Sequence, residues 1–288
     1  MLLLAASGCS RVDTLRFAYA NEGTPLEWPA GATVTHVALE PTPGASPWLQ
    51  VSIDDSDPVP FLFQASAGAI ALTGARAAGF GPIGAGRLKL NATLLPGVRG
   101  GMLIKQRGLT LGGIALRDQS LLLVDPSDWP HGQPGGGAAG VIGYDLLRRF
   151  VVELDVSGRR MSLHRRNSFD VGGMPVVSRL AVLRRVPYFE AWVEFEQGEG
   201  RWVRLQFEPA SGRGLCLDEP VQSAVASVGG LLIPVEPTPC EASAGVAGEP
   251  GDADPGSGRD GVFGAQALGA LVVAVDYENG RIGFRRRE

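Results

Sequence analysis

Long apolar runs are scarce in this 288-residue chain. Beyond the first few residues, no stretch approaches the roughly 18 apolar residues that a bilayer-spanning helix requires. Excess basic charge is missing as well. Twenty-six lysines and arginines against 30 acids give a net charge of −4, with no basic face studded with aromatics, which argues against nucleic acid as a partner. The three histidines, His36, His131 and His164, are scattered without metal-ligand spacing, and each reads as a surface or packing residue. No metal or other cofactor is expected. Few segments hold a 3.6-residue period over three turns, which excludes a predominantly helical fold. What the chain does have is 41 glycines, 21 prolines and short apolar runs such as PFLFQ, SLLLV, FVVEL and LVVAV. That pattern predicts a mostly-β protein with tight turns and a few short helices. The helical candidates are Thr73 to Phe80, Tyr144 to Phe150 and Ala265 to Leu271.

One segment occurs twice. Residues 140–155 read GVIGYDLLRRFVVELD and residues 261–276 read GVFGAQALGALVVAVD; seven of the sixteen positions are identical without a gap. Each copy runs on into a turn and an Arg-containing strand, Arg159 to His164 and Gly280 to Phe284. A spacing of 121 residues is too long for a solenoid repeat and implies two related lobes. The expected organisation is a leading segment over 1–12, a first lobe over 13–169 and a second over 170–288, with Gly172-Gly173-Met174-Pro175 at the crossing. Each lobe opens with a hairpin and an apolar strand that ends in a small-residue loop: VPFLF then Gln64-Ala65-Ser66-Ala67, and VRLQF then Glu208-Pro209-Ala210-Ser211. The Gly/Pro/Asp-rich stretch from Thr238 to Asp260 reads as a surface loop.

The leading segment, LLLAASG before Cys9-Ser10, resembles the end of a bacterial lipoprotein signal, in which that cysteine would be acylated. This implies an exported bacterial protein on the periplasmic side of the envelope, reaching the membrane only through an N-terminal lipid. The plainer alternative is an untidy apolar N-terminus. If Cys9 carries lipid, Cys216 and Cys240 remain as a possible disulfide; the alternative is two unpaired thiols, with Cys216 in a buried strand.

The order of apolar strand, small-residue loop, apolar-apolar-Gly, short helix and strand with a closing Asp resembles the pepsin and retropepsin-like aspartic proteases. The ending DYENGRIGF, Asp276 to Phe284, is similar to the C-terminal strand of the pepsin type. In the first lobe, VSIDDSDPVPFLF, AIALTGARAAGFG and LTLGGIALRDQSLLLVD look like successive parts of a retropepsin-like domain. The resemblance covers nearly the whole chain from about Ala38. It implies a mostly-β fold of two pepsin/retropepsin-like lobes, with one loop from each meeting at a cleft.

The chain departs from the family at those loops. The family carries Asp-Thr-Gly or Asp-Ser-Gly in each lobe, and two carboxylates sharing one proton do the chemistry. Here Gln64 and Glu208 stand at the two aspartate positions. An amide cannot take a proton from water, and the extra methylene of Glu208 shifts its carboxyl by more than an ångström, where such a displacement can cost about 100-fold. Pro209 removes the hydroxyl that would brace the partner loop. The missing glycines are expected to obstruct close backbone approaches within the loops. The resemblance then implies a pseudo-peptidase that takes an extended peptide or envelope protein in an inter-lobe cleft near Ser66, Ala67, Ala210 and Ser211. Two alternatives stay open: an active aspartic-type endopeptidase with a non-standard site, and a structural envelope-assembly lipoprotein. Glu208 itself reads either as a single general acid/base or as a carboxylate bonded to nearby backbone or solvated.

Other chemistry fails on inspection. Gly79 to Gly84 matches a dinucleotide-binding pattern but contains a proline and leads into a strand-like segment. Ser211 lacks the glycine two residues before a nucleophile-elbow serine. Asn91-Ala92-Thr93 matches a glycosylation triplet and means little in the exported bacterial protein that the leading segment implies. Asp54, Asp55 and Asp57 read as turn formers, and Asp145 as a residue at a helix N-terminus.

Overall fold

The computed structural model describes residues 17, 19–40, 46–73, 87–89, 95, 98, 100–125, 137–196, 198–240 and 258–287. The first lobe contains β1 (Leu26–Glu27), β2 (Val34–Glu40), β3 (Trp48–Ile53), β4 (Val59–Phe63), β5 (Ala71–Thr73), β6 (Arg87–Lys89), β7 (Gly100–Leu111), β8 (Ile114–Val124), β9 (Gly140–Ile142), helix α1 (Tyr144–Leu147), β10 (Val151–Asp155) and β11 (Arg160–His164). The second contains β12 (Val176–Leu183), β13 (Val186–Phe195), β14 (Gly200–Phe207), β15 (Leu215–Leu217), β16 (Ala224–Val228), β17 (Leu231–Glu236), β18 (Gly261–Phe263), β19 (Leu271–Asp276) and β20 (Arg281–Arg286). A single 3-10 turn, Val171–Gly173, lies at the crossing between them, with Asp170 accepting from the Gly172 amide.

The repeated segment builds the junction. β10 pairs antiparallel with β19 through Val152↔Val275, Glu153↔Ala274 and Leu154↔Val273. Glu153 and Ala274 are the same position of the two repeat copies, so an approximate twofold axis passes through that pair. Adding β11 and β2 on one side, and β20 and β12 on the other, completes a six-stranded sheet in the order β2-β11-β10-β19-β20-β12. Alternation along the strands sends Val152, Leu154, Val273, Val275, Ile282 and Phe284 into the main core. Glu153 sits on the opposite face, where the His164 imidazole and the Arg285 guanidinium, 3.2 Å away, hold its carboxyl below the usual carboxylate range.

Within each lobe the returning segment threads between two strands. β9 runs parallel to β4 and antiparallel to β5; β18 runs parallel to β14 and antiparallel to β15. These crossings require glycine, because the strands pass too closely for a side chain. A Cβ at Gly140 would lie 2.2 Å from the Ala71 carbonyl oxygen, and one at Gly261 would lie 2.3 Å from that of Cys216. The tightest point is Gly143, where a Cβ would fall 1.9 Å from the Gln64 carbonyl oxygen. All three contacts are to backbone oxygens rather than to side chains that could move aside. Gly143→Ala should therefore cost at least about 1–3 kcal/mol, read as a lower denaturant midpoint at constant m-value.

The helical candidates shrink in the structure. Tyr144 to Phe150 gives only α1, four residues, and Ala265 to Leu271 gives a 3-10 turn, Ala267–Ala270. Each must reverse direction within a few residues to feed β10 or β19, which leaves no length for further turns. Asp145 lies in the first turn of α1, and Asp54 and Asp55 form the β3–β4 turn with φ of 47° and 61°. Cys9 and the whole 1–12 segment, residues 74–86 with the Gly79–Gly84 cluster, Asn91, His131 and residues 241–257 lie outside the described residues.

Candidate functional site

The two loops after β4 and β14 have the same construction. The Gln64 amide donates to Ile142 O and the Glu208 amide to Phe263 O, both at 3.0 Å. Ala67 N closes on Gln64 O and Ser211 N on Glu208 O, both at 2.9 Å. The chain then locks to the returning segment through Tyr144 N to Ala67 O at 2.9 Å and Ala265 N to Ser211 O at 2.8 Å. The loops close this way without the expected glycines. The close approaches fall in the returning segments, at Gly143 and Gly264, so Ser66 and Ala210 are tolerated in the loops themselves.

The geometry joins the loops through one side chain. Glu208 Oε1 accepts from the Ala65 amide at 3.1 Å and Oε2 from the Ser66 amide at 3.0 Å, both in the other lobe. Within its own lobe, Oε1 also accepts from Ala210 N at 3.3 Å and Oε2 from the Gln206 side-chain amide at 3.4 Å. The residue is 1% exposed. Burial pushes its pKa above the usual carboxylate range; the hydrogen bonds from Ser66, Ala210 and Ala65 pull it part of the way back. The Glu208 side chain thus reaches across and braces the first-lobe loop by its backbone amides.

Gln64 is buried in the same site, and its Nε2 donates to Ser66 Oγ at 3.1 Å. It supplies an amide, not an acid, to the site. Every partner of Glu208 named above is a hydrogen-bond donor, and none is a carboxylic acid. Two further cross-lobe bonds flank the brace. Ser46 Oγ donates to Ala210 O at 2.9 Å, and Arg185 Nη1 donates to Gly68 O at 2.7 Å. The Arg185 guanidinium also lies over the rings of Tyr144, at 4.7 Å, and Tyr19, at 5.4 Å. It reaches there because Arg184 and Arg185 form the β12–β13 turn, with φ of 49° and 73°. Burial raises the Tyr277 phenol well above its ordinary value, and the Glu208 carboxylate beside it adds to the effect.

The four residues expected to line a cleft are all buried: Ser66, Ala67, Ala210 and Ser211. Ala67 and Ala210, from opposite lobes, belong to one apolar cluster with Phe17, Leu95 and Val98. The loops therefore form a covered floor.

Gln206, Arg259 and Asp218 were not apparent from the sequence. Arg259 Nη1 donates to Gln206 Oε1 at 3.1 Å, which turns the Gln206 amide so that its NH2 faces Glu208. Arg259 is held in turn by both oxygens of Asp218 at 3.0 Å. The available signal was a glutamine at the inner end of the strand, two residues before the loop, where the first lobe has Leu62. Cys216 and Cys240 are bonded, with Cα atoms 5.2 Å apart, and the Cys240 amide donates to Leu217 O at 2.7 Å. Among the described residues no group of three or more potential metal ligands occurs, and no helix is long and apolar enough to cross a membrane.

Comparison with known proteins identifies this architecture. An aspartic proteinase from Irpex lacteus superposes with a TM-score of 0.57, covering 88% of this chain and 98% of its own, at 10% identity. Basic 7S globulin from soybean aligns over 91% of this chain and 95% of its own, at 13% identity and a TM-score of 0.49. No protein-family model matches the chain, and no curated protein sequence matches it. The fold is that of the pepsin-like aspartic proteases.

Proposed function

We propose that this chain is a pseudo-peptidase: an aspartic-protease-like scaffold of the bacterial envelope, lipid-anchored through Cys9, that binds an extended peptide or partner protein without cleaving it. The observation that carries the reading is the commitment of Glu208. Both of its oxygens accept from first-lobe backbone amides while an amide side chain occupies the opposing position. Hydrolysis by this fold needs one carboxylate free to take a proton from water and a second acid to donate one. A 1% exposed carboxylate saturated with donors has no place for that water. Partner binding by strand addition above the covered floor needs neither group.

A second reading, a peptidase working through Glu208 alone, draws on its burial and raised pKa. One experiment separates the two. Purified protein incubated with a peptide library from acid to neutral pH should yield no cleavage, and pepstatin should not bind at any pH. Cleavage that disappears in Glu208→Ala would replace the first reading with the second.

A further inference from the structure

We infer that a groove on the outer face of the six-stranded sheet is a binding site for a phosphate group, gripped by Arg179 and Arg281. The groove measures about 670 Å³ and is open to solvent, with Arg179, Arg281, Ser178 and Asn279 along its wall and Val177 and Val182 beside them. Arg179 and Arg281 are directly opposite on β12 and β20. The register makes this a close pair. Leu180 N donates to Gly280 O, so the neighbouring pair is hydrogen-bonded, and the ladder alternates. In a non-hydrogen-bonded pair the side chains stand nearest, and like charges there repel.

The surrounding acids do not relieve this repulsion. Asp276, next to Arg281 along the same row, is engaged by the Asn279 amide at 3.1 Å and its side chain at 2.7 Å. Glu278 pairs with Arg166 at 3.2 Å. Asp170 approaches Arg281 only to 3.8 Å, and both side chains are largely exposed, where such a pair counts for little. Among the described residues, Arg179 makes no ion pair. Two guanidinium forks facing one opening match a tetrahedral oxyanion, which can accept from both at once. The exposed Val177 and Val182 beside them would suit a phosphate carried on an apolar body as well as a free one.

The test uses the whole chain at low ionic strength, where screening is weakest. Calorimetric titration with inorganic phosphate and glycerol phosphate forms one arm; cosedimentation with phosphatidylglycerol vesicles, against phosphatidylcholine vesicles, forms the other. Arg179 is exposed, so Arg179→Gln should fold normally. It is expected to weaken binding by about tenfold or more through loss of a charge-assisted grip. Arg160→Gln, an exposed arginine on β11 of the same sheet, should leave binding unchanged. Binding in the soluble arm assigns a small phosphate ligand; binding only to phosphatidylglycerol vesicles assigns a lipid headgroup. Absence of binding in both arms, or an equal loss in Arg160→Gln, overturns the site.

Discussion

Glu208→Ala is expected to lower the unfolding free energy by about 2–4 kcal/mol at neutral pH, even though the residue performs no catalysis in our reading. The change strands three buried backbone amides, Ala65, Ser66 and Ala210, together with the Gln206 side chain. Each buried donor left without an acceptor costs about 1–3 kcal/mol, and relief of the carboxylate's burial cost offsets part of the sum. Glu208→Gln should fall between wild type and Glu208→Ala. Its carboxamide oxygen keeps one pair of donors while its NH2 confronts the other. Equilibrium denaturation of the three proteins, with hydrogen exchange at Ala65 and Ser66, measures both the loss and its location. An alanine variant as stable as wild type would show that the brace contributes nothing.

The same comparison has a pH signature with a definite sign. The folded pKa of Glu208 is raised above its unfolded value, which for glutamate is about 4.3. Between those two pKa values the folded state holds more protons than the unfolded one. The group's stabilising contribution is therefore complete below the unfolded pKa and is lost as pH rises through the raised folded one. Wild type should lose stability relative to Glu208→Gln as pH climbs through that window. A difference that stays flat, or grows with pH, contradicts the raised value.

Reducing the Cys216–Cys240 bond should have an effect of similar size. The bond closes a loop of 24 residues, for which the chain-entropy estimate is about 3 kcal/mol. Cys216 is buried in β15, the strand that pairs with β18 beside the Glu208 loop. Arg213 reinforces the same region, donating to Glu236 at 2.6 Å and to Thr238 O at 3.0 Å. Denaturation with and without reductant, alongside the Cys216→Ser/Cys240→Ser variant, should show the same drop in both. Unchanged stability would mean that the buried strand and the Arg213 bonds hold the segment unaided.

Much of the fold was legible because duplication and close packing leave marks in local sequence. The Gly-Val-(Ile/Phe)-Gly segments could be read since no other residue fits at Gly140, Gly143, Gly261 or Gly264, and the Val-Val-x-x-Asp ends announced the strands that meet at the centre. The two loop positions that the sequence singled out do meet, and the structure brings Gln64, Ser66 and Glu208 into one site. What the sequence concealed was the use of Glu208 as a brace. That role depends on a reach between residues 142 and 143 positions apart, and no spacing rule encodes it. The Gln206–Arg259–Asp218 chain was hidden for the same reason, and the burial of Ala67 and Ala210 in one cluster with Phe17, Leu95 and Val98 joins residues far apart along the chain.

The pairing of Glu153 with Ala274 carries one more implication. Sister halves that share an ancestral pattern risk docking like with like, either within a crowded nascent chain or between neighbours. Two first halves meeting along β10 would set carboxylate against carboxylate at the axis, whereas the true partner offers a methyl group and leaves Glu153 to its own cations. At that central position the two halves differ by one acidic side chain, which has a methyl group and not a second carboxylate across from it.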